Sequence, residues 1–192
     1  PGIIAVEPHS GKIKAWVGGL DFKYFQYDQV LAPRQVGSVF KPVVYSAAIE
    51  HGARIDAYYR NEQKSYPEYN NWTPRNSNNQ YGGYYTLKGA LSQSINTIAV
   101  EVLLQTGIDE TIEHAHRLGI QSELPAVPSI ALGAANIPLK EMILPYVCYA
   151  NNGIATSPYY LLSIKDRDGR ILYEAEPPHK QQVISVDQAH IM

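Results

Sequence analysis

The longest stretch without a charged side chain decides which class of fold this chain can adopt. It covers residues 142–164 and is long enough to cross a bilayer as a single helix. Pro145, Asn-Asn-Gly at 151–153 and Thr-Ser-Pro at 156–158 each interrupt a continuous apolar helix. The stretch therefore predicts a helix, a turn and a strand of a globular fold, and not a membrane span.

Chain length, charge and cysteine content exclude further classes of protein. The 192 residues carry 16 basic and 18 acidic side chains, and 45% of them are hydrophobic. A chain of this length makes one ordinary domain that buries about 70% of its unfolded surface. Because it has no run of Lys or Arg, a nucleic-acid binder is not expected. The single cysteine, Cys148, excludes an internal disulfide and is expected to be a small buried hydrophobe.

Strand patterns lie near both ends of the chain. Short apolar or alternating runs predict strands at 2–7 and 12–18, joined by a turn. Similar runs at 159–165 and 170–174 flank Asp-Arg-Asp-Gly and predict a hairpin.

Helix patterns fill the middle of the chain. With the strands at both ends, they predict an α+β fold with a helical insertion. Apolar spacing and capping residues predict helices at 38–49, from a Thr86 cap through Ser92, at 96–105, from an Asp109 cap to about 118, and from Pro138 to about 151 with a bend at Pro145.

Residues 61–85 show neither the spacing of apolar residues typical of a helix nor the alternation typical of a strand. They contain many asparagines, Trp72 and five tyrosines, and a loop of this length in a compact domain is usually functional or disordered. The tyrosines could line a substrate groove, or they could hold the loop on the protein surface.

Ser38 and Lys41 place a hydroxyl and an amine three residues apart at the start of a predicted helix. If Ser38 opens this helix, both side chains lie on one face, within hydrogen-bond reach. A serine needs a base to become a nucleophile, and a lysine can be that base when its pKa falls. Residues 35–49 contain no carboxylate to keep the ammonium charged. The backbone N–H of Ser38, at the helix N-terminus, would face a developing oxyanion.

The Ser-x-x-Lys spacing is weak evidence by itself. With this many serines and lysines in the chain, chance predicts roughly half a match to this pattern. The alternative is that Ser38 merely caps the helix and Lys41 is solvated.

Ser94 and Asn96, between two predicted helices, support a catalytic reading. A second hydroxyl could relay protons, and an amide could bind both a carbonyl and an N–H of a peptide. The same pattern at 77–79 lies in the polar loop, and a related Tyr-Ala-Asn at 149–151 ends a helix. Neither of these two is favoured as part of a site.

Side chains that could bind a metal are poorly placed. His114 and His116 are two residues apart on a helix and therefore diverge. Asp-Arg-Asp-Gly at 166–169 starts like a calcium loop but lacks the later ligands, which favours a hairpin turn. No metal or organic cofactor is expected.

Five segments spread over nearly the whole chain carry a family resemblance. They are 11–19 (GKIKAWVGG), 34–42 (RQVGSVFKP), 87–97 (LKGALSQSINT), 129–133 (SIALG) and 149–153 (YANNG). In them the chain resembles the transpeptidase domain of class A (bifunctional) penicillin-binding proteins, although Val36 stands where proline is usual. The resemblance implies an α+β fold like that of penicillin-binding proteins and serine β-lactamases, with an antiparallel sheet and a helical subdomain.

The resemblance also implies a mechanism. Ser38 would attack the penultimate D-Ala carbonyl of a peptidoglycan stem peptide, with Lys41 as general base. Ser94 would help move the proton to the leaving D-Ala, and Asn96 would position the peptide. An amine of a neighbouring stem would then resolve the acyl-enzyme, and β-lactams would acylate Ser38. The parent protein would lie on the periplasmic face of the inner membrane, with its anchor and glycosyltransferase domain outside this chain.

The third motif of the family, Lys-Thr/Ser-Gly on a core strand, is absent from the 192 residues. Its only lookalike, His-Ser-Gly at 9–11, precedes the nucleophile and fits the first hairpin turn. Ser185 and Gln188 form a capping box for a helix that has little length before Met192. We therefore expect 1–192 to be a partial transpeptidase domain that ends before the third motif.

Two other functions use the same features. A serine β-lactamase or β-lactam sensor would share Ser38 and Lys41, but the chain lacks the Glu followed by Leu-Asn with which class A β-lactamases position water. A binding or scaffolding module that has lost its catalytic strand is supported only by the missing third motif.

Overall fold

The computed structural model describes residues 2–21, 23–24 and 26–192. Within them lie ten short strands and six α-helices, besides three 3₁₀ turns at Gly37–Phe40, Pro67–Tyr69 and Pro128–Leu132. The strands are β1 (Ile3–Val6), β2 (Ile13–Val17), β3 (Pro33–Gln35), β4 (Tyr58–Arg60), β5 (Tyr84–Thr86), β6 (Asn136–Pro138), β7 (Ile154–Thr156), β8 (Ser163–Lys165), β9 (Ile171–Glu174) and β10 (Lys180–Gln182). The helices are α1 (Lys41–Glu50), α2 (Leu87–Ser92), α3 (Asn96–Thr106), α4 (Ile108–Arg117), α5 (Leu139–Ala150) and α6 (Val186–Ile191).

The chain folds into two compact units. One consists of the described residues of 1–32 together with 138–191, and the other contains residues 33–137 with Met192. The first unit holds strands from both ends of the chain, and the second holds most of the helices.

In the first unit, antiparallel pairs confirm the predicted strands. β1 pairs with β2, so that Ile3 lies opposite Val17. β8 pairs with β9, and the turn between them is fixed by Asp166 Oδ1, which accepts hydrogen bonds from the N–H groups of Asp168 and Arg170, each at 2.9 Å. This confirms a hairpin turn at 166–169. β7 pairs with β10, and α5 packs against β7 and α6.

The uncharged stretch 142–164 is a helix, a turn and a strand, as predicted. Pro145 lies inside α5, and Asn-Asn-Gly at 151–153 forms the turn into β7. The prediction that Pro138 is the first helical residue is wrong, because Pro138 ends β6 and α5 begins one residue later. Cys148 is fully buried, and burial raises the pKa of its thiol to about 11, as expected for a small hydrophobe.

No helix in the described parts of the chain is both long and apolar enough to cross a membrane.

The second unit is built around α1 and α3, which pack against each other and against the 3₁₀ turn Pro128–Leu132. Fully burying one such aliphatic or aromatic side chain contributes roughly 1.5–3 kcal/mol. The side chains that fill this core are Phe40, Val43, Val44, Ile98, Leu103, Leu118 and Ile130, all fully buried.

The sequence predicts side-chain caps for two of these helices, and one of the two caps forms. Thr86 Oγ1 accepts the N–H of Gly89 at 3.0 Å and starts α2, as predicted. The predicted Asp109 cap is wrong, because α4 begins at Ile108 directly after Gly107. Asp109 lies inside the first turn, where its negative charge complements the positive end of the helix dipole.

The predicted helix 38–49 is one turn of 3₁₀ helix followed by α1. Ser38 lies in the turn Gly37–Phe40, and α1 begins at Lys41 with Pro42 in its first turn. Pro42 has no N–H to donate, and at this position an α-helix requires none. Ser38 is therefore presented just before the helix and does not belong to its first α-turn.

Candidate active site

The turn that carries Ser38 is held by a second backbone segment. The N–H of Gly37 donates to the carbonyl of Gly133 at 3.1 Å, and Val36 donates to Ala135 at 3.2 Å. Gly133 has a φ of +74°, and a Cβ at this position would overlap the backbone of Gly37. Only glycine therefore allows the two segments to approach so closely, and this approach fixes the position of Ser38.

Lys41 is buried, with 1% of its surface exposed. Desolvation favours the neutral amine and lowers the pKa of Lys41 to about 8. Its Nζ donates to the carbonyl oxygen of Ser94 at 2.6 Å, to Ser94 Oγ at 2.9 Å and to Asn96 Oδ1 at 2.6 Å. The amine is thus desolvated and held in one direction by neutral acceptors.

Ser94 connects the amine to the candidate nucleophile. Its Oγ lies 3.1 Å from Ser38 Oγ and 2.9 Å from Lys41 Nζ. Its φ of +53° is in the left-handed region, and both its hydroxyl and its carbonyl oxygen meet Lys41. Lys41 Nζ donates to Ser94 Oγ, and Ser94 Oγ donates to Ser38 Oγ. With the amine neutral and both hydroxyls turned the other way, the same contacts form a route for a proton from Ser38 through Ser94 to Lys41.

Asn96, the first residue of α3, is fixed at both ends of its amide. Oδ1 accepts the bond from Lys41, and Nδ2 donates to the carbonyl oxygen of Arg75 at 2.8 Å. An amide nitrogen has two hydrogens, so one N–H of Asn96 is left for another acceptor.

The structure brings together all four residues that the sequence predicted for the site: Ser38, Lys41, Ser94 and Asn96. The recorded hydrogen bonds connect Ser38 to Lys41 through Ser94, whereas the sequence predicted direct reach between the two. The catalytic roles of the four residues stay a prediction.

Sequence reasoning missed the contribution of the loop 61–85 to this site. Besides the Arg75 carbonyl, the loop supplies Asn76, whose side chain contacts the backbone of Asn96. The sequence carries no local signal for this contact, because the two asparagines are twenty residues apart in sequence. That the loop tyrosines line a substrate groove stays a prediction, and within the loop Tyr66 packs against Trp72, with ring centroids 6.4 Å apart.

The two lookalikes of the Ser94 pattern lie elsewhere. Ser77-Asn78-Asn79 is exposed in the polar loop. Asn151 is buried and donates to the Ile154 carbonyl and to Thr156 Oγ1, each at 3.1 Å, which are the bonds of a turn after a helix. His-Ser-Gly at 9–11 lies in the turn between β1 and β2, where Gly11 donates to the carbonyl of Glu7 at 2.9 Å.

A Ser-His-Glu arrangement also occurs between α1 and α4. His114 Nε2 lies 2.9 Å from Ser46 Oγ, and His114 Nδ1 lies 2.9 Å from Glu50 Oε2. Ser46 and His114 have no exposed surface, so no substrate can reach this serine. The arrangement ties two helices together. His116 is exposed on the same helix, which confirms that the two histidines diverge.

In the part of the chain that the structure describes, no group of three or more His, Cys, Asp or Glu side chains is placed to hold a metal ion.

Comparison with known proteins gives matches over almost the whole chain. A family profile described as penicillin binding protein transpeptidase domain matches residues 2–192. Penicillin-binding protein 1A of Pseudomonas aeruginosa is 35% identical over 181 residues, covering 92% of this chain and 22% of that protein. Penicillin-binding protein 1A of Neisseria gonorrhoeae is 34% identical over 200 residues, covering 99% of this chain and 25% of that protein. The chain thus spans about a quarter of the length of these relatives.

Solved structures agree with the fold. The crystal structure of penicillin-binding protein 1A from Haemophilus influenzae has a TM-score of 0.84 at 33% identity, covering 92% of this chain and 27% of that one. PonA1 from Mycobacterium tuberculosis, in complex with penicillin V, has a TM-score of 0.86 at 24% identity, and the match covers 98% of this chain and 52% of that one. These similarities confirm the α+β fold that the sequence resemblance implied.

Proposed function

The chain belongs to the penicillin-binding protein transpeptidase family, and on this premise we propose that it forms part of a peptidoglycan D,D-transpeptidase. The observation that carries the proposal is the connected series Ser38 Oγ, Ser94 Oγ and Lys41 Nζ, with contacts of 3.1 and 2.9 Å. It gives one serine a neighbouring base and a path for its proton.

In the proposed reaction, Ser38 Oγ attacks the carbonyl carbon of the penultimate D-Ala of a stem peptide. The serine proton passes through Ser94 to the neutral amine of Lys41. When the tetrahedral intermediate collapses, the C–N bond breaks and the proton returns through Ser94 to the amine of the leaving D-Ala. An amine of a second stem peptide then attacks the carbonyl carbon of the Ser38 ester and gives up a proton to the neutral Lys41 amine. The ester C–O bond breaks, and this proton passes through Ser94 to Ser38 Oγ, which leaves an amide cross-link and frees Ser38.

Lys41 suits the role of base because its pKa of about 8 lies near physiological pH. A lysine with its ordinary pKa would be almost entirely protonated at neutral pH and could not accept the serine proton. At pH 7 about a tenth of the Lys41 amines would be neutral, which is a usable fraction.

Asn96 and the turn at Ser38 supply the binding contacts. The remaining N–H of the Asn96 amide, which is not used by the Arg75 carbonyl, would donate to a carbonyl of the bound peptide. The backbone N–H of Ser38 serves as one donor to the oxyanion, and preorganised donors of this kind contribute strongly to acyl transfer. We assign the second donor and the Lys-Thr/Ser-Gly motif to other parts of the parent protein.

The activity proposed here is that of the parent protein, because the chain spans about a quarter of the length of its relatives. We propose that this parent is anchored in the inner membrane, faces the periplasm, carries an upstream glycosyltransferase domain and binds β-lactams. A β-lactam presents a strained amide to the same nucleophile, so Ser38 would open its ring and keep the acyl group.

The test is acylation of the full-length parent protein by labelled penicillin, followed by peptide mass mapping. We expect a long-lived adduct on Ser38 and none in Ser38→Ala. An adduct on another residue, or no adduct in the intact protein, would contradict the assignment of Ser38 as the nucleophile. Rapid release of hydrolysed drug would instead identify a β-lactamase.

A further inference from the structure

Two buried asparagines in the loop 61–85 form a hydrogen-bond network directly behind Asn96. We propose that Asn76 is a positioning residue: it orients Asn96, and through Asn96 the amine of Lys41, for acylation of Ser38. The inference rests on the proposed function, since it concerns the rate of the same acylation step.

The N-terminus of α3 is capped by a side chain from the loop 61–85. Helix N-termini have N–H groups without partners in the helix, and a side chain usually caps them from the preceding residue. The residue before α3 is Ile95, which cannot cap. Asn76 Oδ1 does so from a distant part of the chain, accepting from the N–H of Asn96 at 3.0 Å and of Thr97 at 3.2 Å.

Asn76 is itself held firmly by buried hydrogen bonds. Asn76 and Asn61 are only 6% and 4% exposed. Asn76 Nδ2 donates to Asn61 Oδ1 at 2.7 Å and to the carbonyl of Gln80 at 2.8 Å. Asn61 Oδ1 also accepts from Thr97 Oγ1 at 2.9 Å, which closes the network on α3. A buried network in which each amide is satisfied is rigid, so Asn76 has one orientation.

The backbone carbonyl of Arg75, next to Asn76, holds the side chain of Asn96. Arg75, which precedes Asn76, accepts a hydrogen bond from Asn96 Nδ2 at 2.8 Å. The same two loop residues therefore hold the backbone of Asn96 through Asn76 and its side chain through Arg75. With Nδ2 held, Asn96 Oδ1 is directed at Lys41 Nζ, 2.6 Å away.

Loss of the Asn76 amide would release both contacts together. The first turn of α3 would lose its cap, and the Arg75 carbonyl would no longer be held against Asn96. Asn96 could then rotate away from Lys41, and small displacements of reacting groups lower rates strongly. The expected consequence is a slower chemical step, with binding of the drug less affected.

The experiment uses the full-length parent protein and labelled penicillin. Acylation is followed over a range of penicillin concentrations, which separates the noncovalent binding constant from the acylation rate constant. The variants are Asn76→Ala, Asn76→Asp and Ser77→Ala. Asp keeps the acceptor oxygen for the N–H groups of α3, and Ser77 is an exposed neighbour in the same loop.

We expect Asn76→Ala to lower the acylation rate constant roughly ten- to a hundredfold, with the binding constant within about threefold. Asn76→Asp should recover part of this loss, and Ser77→Ala should match the wild type. Active-site titration gives the fraction of each variant that can be acylated, so that slow chemistry is separated from unfolded protein.

A purely structural role would lower that fraction and leave the rate constant of the folded fraction unchanged. That result, or an Asn76→Ala rate constant within twofold of wild type, overturns this inference while the proposed function stands. If the wild type forms no adduct on Ser38, both fail.

Discussion

Lys41 is buried, and among the residues that the structure describes no carboxylate forms an ion pair with it, which determines how its amine can react. An acidic partner would stabilise the ammonium and raise its pKa, whereas burial among neutral acceptors lowers the pKa to about 8. The acceptors, two oxygens of Ser94 and one of Asn96, hold the direction of the amine without keeping it charged. A residue of this kind can accept and return one proton per reaction.

The pH dependence of acylation follows from this burial. Because only the neutral amine accepts the Ser38 proton, we expect the acylation rate constant to rise with pH and to level off above about pH 8. Lys41→Ala should slow acylation by roughly 10²–10⁴-fold and lose the rise. Stopped-flow measurements with a chromogenic β-lactam between pH 6 and 9 test both.

The matched control is Lys88→Ala, which removes an exposed lysine from α2. It should keep the wild-type rate and pH profile. A flat profile in the wild-type protein would contradict Lys41 as the base. Loss of the folded circular dichroism spectrum in Lys41→Ala would instead indicate a structural lysine.

At the scale of elements, the nucleophile is positioned by one backbone segment packed against another. The turn Pro128–Leu132 ends at Gly133, whose carbonyl accepts the N–H of Gly37 beside Ser38. No side chain takes part in this contact. A substitution at Gly133 therefore acts on Ser38 through the backbone alone, although Gly133 is 37 or more residues away from each predicted catalytic residue in sequence.

We expect Gly133→Ala to abolish or severely slow penicillin binding. Its Cβ would overlap the Gly37 backbone, and a positive φ adds about 1 kcal/mol of strain. Gly169→Ala is the matched control, because Gly169 has a similar φ of +82° and open space around its Cβ position. If the two variants lose labelling with penicillin equally, backbone strain explains the effect and the close approach does not.

At the scale of the whole molecule, the buried His114 couples stability to pH. Desolvation is the main cause that lowers the pKa of His114 below its ordinary value, although the Glu50 carboxylate opposes it. The unfolded chain therefore binds a proton near pH 6.5 that the folded chain does not take up, and stability falls as the pH drops below about 6.5. Glu50, with its pKa lowered chiefly by Arg117, adds a further loss only below its ordinary pKa of 4.5.

We expect His114→Gln to reduce this acid sensitivity. The measurement is the midpoint temperature of heat inactivation of penicillin binding by the parent protein at pH 7.5 and pH 5. The difference between the two midpoints should be smaller in His114→Gln than in the wild type. His116→Gln, which changes an exposed histidine on the same helix, should behave like the wild type. Equal differences in all three proteins would exclude His114 as the cause.

Local patterns in the sequence predicted much of the fold, because their causes are local. The Thr86 cap needs only the next three residues, and the turn at 166–169 is fixed by the side chain of its own Asp166. The four site residues could be predicted because each pair, Ser38 with Lys41 and Ser94 with Asn96, lies within one short segment.

Interactions between distant segments could not be predicted in this way. Asn76 stood in a stretch with several other asparagines, and nothing in the sequence distinguishes the one that caps α3. The contact of His114 with Ser46 joins residues 68 apart in sequence. The Asp109 cap was mispredicted because Gly107 leads directly into α4 and takes the capping position.

At Ser94 the backbone conformation favours glycine, whereas the hydrogen bonds to Ser38 and Lys41 require a serine hydroxyl. A non-glycine residue with a φ of +53° costs about 1 kcal/mol, and glycine would avoid that cost. Glycine would also remove the hydroxyl that links Ser38 to Lys41. Glycine at position 94 would therefore give a more heat-resistant protein, whereas the proposed transpeptidase reaction needs the strained serine. On the proposed function, the hydroxyl that the cross-linking reaction requires is also the one through which a β-lactam would acylate Ser38.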